Sequence, residues 1–144
     1  MSEVEEKVRN VLEGSSSLFL STTASDEPWV AGAFFAEVDL LTLVMVLELH
    51  GKSLTNIRSN PRAAVVVSSG SPFEPYLQGA ADVVIVDDDQ ELEGVKRALL
   101  KKAPQIEPFF AAPLAAVRLH MRMWRATDVV NGWLPGKELK APTG

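Results

Sequence analysis

The sequence predicts a mainly β fold: a small barrel of about six mostly antiparallel strands with helices at its edges. Three observations carry that expectation. Short segments rich in β-branched and aromatic residues recur between turn-forming clusters, from Leu18–Thr23 to Leu114–Thr127. The order of elements, β-β-β-α-β-β-α-β, lacks the regular strand–helix alternation of a doubly wound parallel sheet. Finally, Leu41–Leu49 is apolar almost throughout, as a strand covered on both faces would be.

Along the chain, Ser2–Glu13 reads as a helix. Ser2 and Glu5 have capping-box spacing, Val4, Val8, Val11 and Leu12 share one face, and Gly14 can end it. Leu18–Thr23 is a short strand, Ala24–Pro28 has the residues of a hairpin connection, and Trp29–Val38 is the returning strand. Gly32 inside it marks a place where something, a ligand for instance, approaches the backbone closely. After Leu41–Leu49 comes Gly51-Lys52-Ser53 and then a short helix, Leu54–Asn60, which stops at Pro61. Ala63–Ser68 is a strand, Ser69–Pro72 a loop, and Tyr76–Val86 a strand with a bulge expected at Gly79.

Asp87–Lys102 is the clearest helix. Its acids cluster in the first turn and Lys101 and Lys102 in the last, so both ends suit the helix dipole; Leu92, Val95 and Leu99 line one face and Pro104 ends it. Asp87-Asp88-Asp89 fits this helix start better than a metal site. Ile106–Ala112 reads as a second short helix. The final strand, Leu114–Thr127, places Val117, Leu119, Met121 and Met123 on one side and Arg118, His120, Arg122 and Trp124 on the other. Asp128–Gly144, rich in Gly, Pro and Lys, reads as a loop or partly disordered tail, and the whole chain, 1–144, as a single domain.

Composition excludes several function classes. The 144 residues carry a formal net charge of −5, which argues against a general nucleic-acid or membrane-surface binder. There is no cysteine, so disulfides, thiolate metal sites and cysteine nucleophiles are out. His50 and His120 are too far apart in sequence to form a metal motif. The first residues have no signal-peptide pattern and no apolar run reaches the ~18–20 residues of a membrane span, so the expected location is the cytoplasm.

Gly51-Lys52-Ser53 is the most informative stretch. A strand, a glycine turn, a lysine, a hydroxyl and a helix start form an arrangement that can hold a phosphate. The first helical amides lack intrahelical partners, the dipole favours an anion, Lys52 adds a full charge and Ser53 a donor. The same tripeptide also fits a plain helix start with Ser53 as N-cap. It is not a nucleoside-triphosphate loop, because Val46 stands where that motif has its first glycine and Leu47-Glu48-Leu49-His50 continue a strand.

The order of several segments resembles the flavin-mononucleotide (FMN)-binding split β-barrel proteins of the pyridoxamine 5′-phosphate oxidase type. The segments are LFLSTTASDEPWVAGAFF, LVMVLELHGKS, LTNIRSNPRAAVVV and YLQGAADVV, followed by an acidic-start helix and a long strand. Together they cover most of residues 1–128. The resemblance implies a six-stranded antiparallel split barrel, a homodimer, and FMN between the subunits, with haem or a deazaflavin as alternatives used by other members of such a family.

The resemblance also implies site roles. Lys52 and Ser53, after Gly51, match the basic and polar pair that holds the flavin phosphate. Trp29–Phe34, with Val30 and Ala31, matches the strand beside the isoalloxazine ring, and Val46–Leu49, with Leu47, the strand leading to the phosphate. Two positions depart from the oxidase: Ala31 stands where it has an arginine for the phosphate, and Lys52-Ser53 where it has arginine-lysine. Its C-terminal substrate-binding residues have no match in Val129–Gly144. Beyond the resemblance, Gln78 can either hydrogen-bond a ring edge or serve the fold. His50 can donate to the phosphate or be a solvated turn residue. Arg118, His120 and Arg122 can meet an anion or form a plain exposed face. Trp124 and Trp133 can stack on a flavin or be core. With no Ser-His-Asp set or carboxylate pair evident, the expected function is flavin-dependent oxidation or reduction of a small molecule. The alternative is a non-catalytic flavin-, haem- or deazaflavin-binding protein.

Overall fold

α1 (Glu3–Glu13) forms as its capping residues dictate. The Glu5 amide donates to the Ser2 hydroxyl at 3.1 Å, the Ser2 amide donates to Glu5 Oε1 at 3.2 Å, and Val8 and Leu12 are buried. The computed structural model describes residues 1–143 of the chain. β1 (Ser17–Ala24), β2 (Glu27–Asp39) and β3 (Thr42–Glu48) follow as an antiparallel meander, the first hairpin turning at Ser25-Asp26, both in the left-handed region. α2 (Lys52–Ser59) leads to β4 (Arg62–Val67) and β5 (Tyr76–Val86), and α3 (Asp89–Lys102) to a 3-10 segment (Pro104–Ala111) and β6 (Leu114–Asp128).

The strand order β3-β2-β1-β4-β5-β6, closed by β3–β6 pairing, makes the expected six-stranded antiparallel barrel. Its interior is filled by alternate residues of the strands, among them Leu20, Phe35, Leu43, Met45, Leu77, Val117 and Leu119, and by Leu54 and Ile57 of α2. α3 and the 3-10 segment cover the outer face of β2, β3 and β6, which buries Val44, Val46 and Ala116 against Val95, Leu99 and Ile106. β3 is therefore apolar on both faces because one meets the barrel core and the other a helix. Lys102 ties this layer to α1: its ammonium donates to the Leu12 carbonyl at 2.8 Å and pairs with Glu37, while burial pushes its pKa down. Asp88 caps α3, accepting from the Glu91 amide at 3.3 Å, which is the structural use of the acidic run.

Three expectations need correction. The segment after residue 128 is not all loop: Trp133–Lys140 forms β7, paired with β6 from Met123–Lys140 to Asp128–Trp133. Pro135 and Gly136 are tolerated because β7 is an edge strand whose outer side has no partner among the described residues. Gly144 of the expected tail lies outside the described residues. The irregularity in β5–β6 lies between Ala80 and Ala81 rather than at Gly79, and β6 carries the extra residue, Arg122. That bulge shifts the inward–outward phase of β6, so Trp124 joins Met121 in the core instead of sharing a face with Arg122. Gly79 is needed for another reason: a Cβ there would lie 2.6 Å from the buried Trp124 ring.

Candidate functional site

β2 changes partner half-way. From Glu27 to Phe34 it pairs with β1, and from Phe35 to Asp39 with β3. β3 pairs with β6 along its whole length but with β2 only as far as Met45. Beyond the Phe35–Met45 pair the two strands part and the barrel wall splits. The facing edges, residues 27–34 of β2 and 46–48 of β3, have no ladder partner among the described residues. Apart from the Glu48 carbonyl, which accepts from the Gly51 amide, their outward amides and carbonyls have no partner among the described residues.

A cavity of about 530 Å³ occupies the split, within the ~300–1,000 Å³ common for small-molecule sites. One end is the start of α2. Gly51 is its N-cap and offers no side-chain acceptor, so the first-turn amides at Lys52 and Ser53 lack intrahelical partners. The Lys52 ammonium stands 4.8 Å from the centroid of the Trp29 indole, and Ser53 is buried. The other end lies five residues along β2, about 16 Å at the ordinary strand rise. There Phe34 and Phe109 meet edge to face, centroids 5.4 Å apart at 61°. Phe109, Ile106 and Leu114 reach the cavity from the 3-10 segment and the start of β6. Between the two ends, Ala31, Gly32 and Ala33 keep the wall low, and a Cβ on Gly32 would meet nothing within 4 Å. Among the described lining residues Lys52 is the single cation and Glu48 the single anion.

A family model described as "Pyridoxamine 5'-phosphate oxidase" matches residues 4–127. The chain belongs to this family. Solved structures with the same fold include a Listeria innocua protein provisionally named a pyridoxamine 5′-phosphate oxidase, at TM-score 0.72 and 19% identity, over 88% of this chain and 99% of that one. A heme binding protein from Mycobacterium smegmatis aligns at TM-score 0.79 and 14% identity over 97% of this chain, which spans 59% of that one. The heme storage protein HutZ of Vibrio cholerae aligns at TM-score 0.68 and 17% identity, over 83% and 91% of the two chains. At these identities the likeness carries the fold alone. Comparison with curated proteins finds no significant match.

Of the cofactor-site residues singled out from the sequence, Gly51, Lys52, Ser53, Trp29, Ala31 and Leu47 line the cavity together. Val30 and Gln78 do not. Val30 points out of the barrel and is 61% exposed; Phe34 shares its phase on β2 but lies against Phe109 of the 3-10 segment, which does not reach Val30. Gln78 lies on β5 between Val66 and Arg125, with two strands between it and the split. Trp124 is core, its Nε1 donating to the Leu40 carbonyl at 2.7 Å, and Trp133 packs under Lys7 and Lys137. The two arginines of the basic face of β6 are paired within the chain. Arg122 donates to both Asp82 oxygens at 2.9 and 2.6 Å, holding that carboxyl below its usual pKa, and Arg118 meets Glu91 at 3.5 Å. Glu48, Phe34 and Phe109 were not singled out as site residues from the sequence. Phe34 and Glu48 stood on the flagged strands. Phe109 has no local signal, because only the tertiary return of the 3-10 segment brings it to the cleft.

Proposed function

We propose that this cleft binds FMN and that the protein is a flavin-dependent oxidoreductase acting on a small molecule. What carries the reading is one cavity that joins a phosphate-type turn to an unpaired strand edge. In it, the amides of Lys52 and Ser53, the Ser53 hydroxyl and the Lys52 ammonium would hold the phosphate. The low wall of Ala31, Gly32 and Ala33 leaves room for a flat ring system, and the free amides and carbonyls of the β2 edge would orient its polar rim. FMN, when bound, supplies one- and two-electron transfer. The chain supplies the position, the apolar walls of Phe34, Phe109, Ile106 and Leu114 that keep water from the ring, and the counter-charge.

Haem is the second reading, suggested by two of the structural relatives. Among the described residues lining this cleft there is no His, Cys, Met or Tyr, the side chains that ligate haem iron. Both histidines are exposed and lie outside the lining. The donor set therefore favours flavin.

The partner in this reading is a second copy of the chain. The outer sheet face carries exposed Phe19 and Val30, and strand register joins Phe19 to Val66 and Ala80 to Met123 on the same face. An apolar sheet face of this kind, rimmed by Arg62, Asp82 and Arg125, suits protein–protein contact.

An absorption spectrum of the purified protein, before and after adding FMN, tests the proposal. The expected result is the flavin band near ~450 nm retained through gel filtration. Retention of a Soret band instead, or no uptake of added FMN, would reject it.

A further inference from the structure

Glu48 ends β3 at the mouth of the anion turn. Its Cβ and Oε2 lie 3.0 and 3.1 Å from where a Cβ on Gly51 would stand, so the carboxylate leans over the N-cap of α2. It lines the cleft, it is exposed, and among the described residues no cation stands within 4.0 Å of it. Lys52, four residues on, is turned to the Trp29 ring instead. The fold uses only the backbone of Glu48: it pairs with Leu114, and its carbonyl accepts from the Gly51 amide at 3.1 Å. The side chain has no folding partner that would explain its place.

We propose that Glu48 is an internal competitor for the phosphate at this turn. The inference rests on reading the turn as the anion site. A carboxylate beside a helix N-terminus is itself favoured by the dipole. With no ligand bound, Glu48 supplies the negative charge that the α2 amides attract, and Lys52 rests on Trp29. A phosphate monoester carries about −1.5 to −2 at neutral pH. Seating it means displacing the Glu48 carboxylate and drawing Lys52 off the indole. The one cation and one anion of the lining cancel, so the turn contributes selectivity more than affinity. A ligand with one phosphate and a large ring system still gains from the rest of the cleft. A di- or triphosphate brings more charge against the same carboxylate and is disfavoured.

The test compares wild type, Glu48→Gln and Lys52→Ala. FMN and riboflavin are titrated by flavin fluorescence, inorganic phosphate by ³¹P line broadening, and circular dichroism checks the fold. Glu48→Gln keeps size and backbone role and removes the charge. It is expected to tighten FMN and inorganic phosphate by about 3–10-fold, the scale of one like charge at a partly exposed helix end. Riboflavin, which lacks the phosphate, should not respond. Equal tightening of riboflavin and FMN, or FMN affinity that stays the same or falls, would overturn the proposal. If no variant takes up FMN, the flavin reading fails separately, and the phosphate titration decides: no gain for phosphate in Glu48→Gln overturns the role of Glu48 by itself.

Discussion

Lys52 has two partners at different moments, an indole ring in the present structure and a phosphate in the proposed complex. Its ammonium stands 4.8 Å from the Trp29 ring centroid, a contact of modest strength because both groups are partly in water. A charge-assisted hydrogen bond to phosphate is worth more. Lys52→Ala is therefore expected to weaken FMN by about 1.5–3 kcal/mol in a fluorescence titration, with thermal stability almost unchanged. An unchanged dissociation constant would remove Lys52 from the site. Gly79 shows the opposite kind of constraint. Any Cβ there must displace Trp124, which is fully buried and pinned by its bond to the Leu40 carbonyl. Gly79→Ala should lower stability by about 1–3 kcal/mol in urea unfolding, the cost of overpacking, and leave flavin affinity alone.

At the scale of elements, β7 and α1 hold each other. Asp128, at the end of β6, is buried; it pairs with Lys7 of α1 and accepts from the Asn131 side chain at 2.7 Å and its amide at 3.3 Å. The Lys7 ammonium, then the Asn131 amide, keep its pKa below the usual carboxylate range. A carboxyl whose pKa is depressed by folding stabilises the fold above its unfolded value of about 4, and this contribution vanishes as pH falls through the folded value. Urea midpoints should therefore drop below pH ~4, and Asp128→Asn should both lower the midpoint at pH 7 and flatten that acid drop. An unaltered acid slope in the variant would show that other groups govern it. β7 itself was illegible in the sequence for a physical reason. Pro135, Gly136, Lys137, Glu138 and Lys140 have the composition of a loop, and an edge strand accepts that composition because half its backbone groups face solvent. α1 was legible because its cap, apolar face and stop are all local. The Gly51-Lys52-Ser53 turn was legible as a turn into a helix because strand, glycine and helix start are contiguous. Glu48 and Phe109 emerge only when β3 leaves β2 and the 3-10 segment returns over the gap.

For the whole molecule, the proposed assembly rests on the outer face of β1 and β2. Phe19 and Val30 are 55% and 61% exposed on it, next to Val66 by register. Phe19→Asp is expected to convert the proposed homodimer into a monomer in sedimentation velocity, with the barrel still folded by circular dichroism. A dimer that survives that substitution would place the interface elsewhere. Barrel class and closure were readable from strand count and the doubly apolar β3. The partner change of β2, which opens the cleft, was not, since nothing in Glu27–Asp39 announces where one neighbour gives way to another.

β6 is the only described strand paired with three others, β3, β5 and β7. Its contact with β3 joins Leu43 to Leu119 and Leu47 to Ala115, partners far apart in sequence. Closing such a long loop costs entropy before any pairing repays it, so barrel closure is expected late and folding in the slow, millisecond-to-second range of β-rich topologies. During synthesis, Trp29, Lys52 and Ser53 are all present well before the strand that holds β3 in register. Until β6 docks, the two walls of the cleft are not set against each other, and a nascent chain has no cleft for the proposed cofactor to fill.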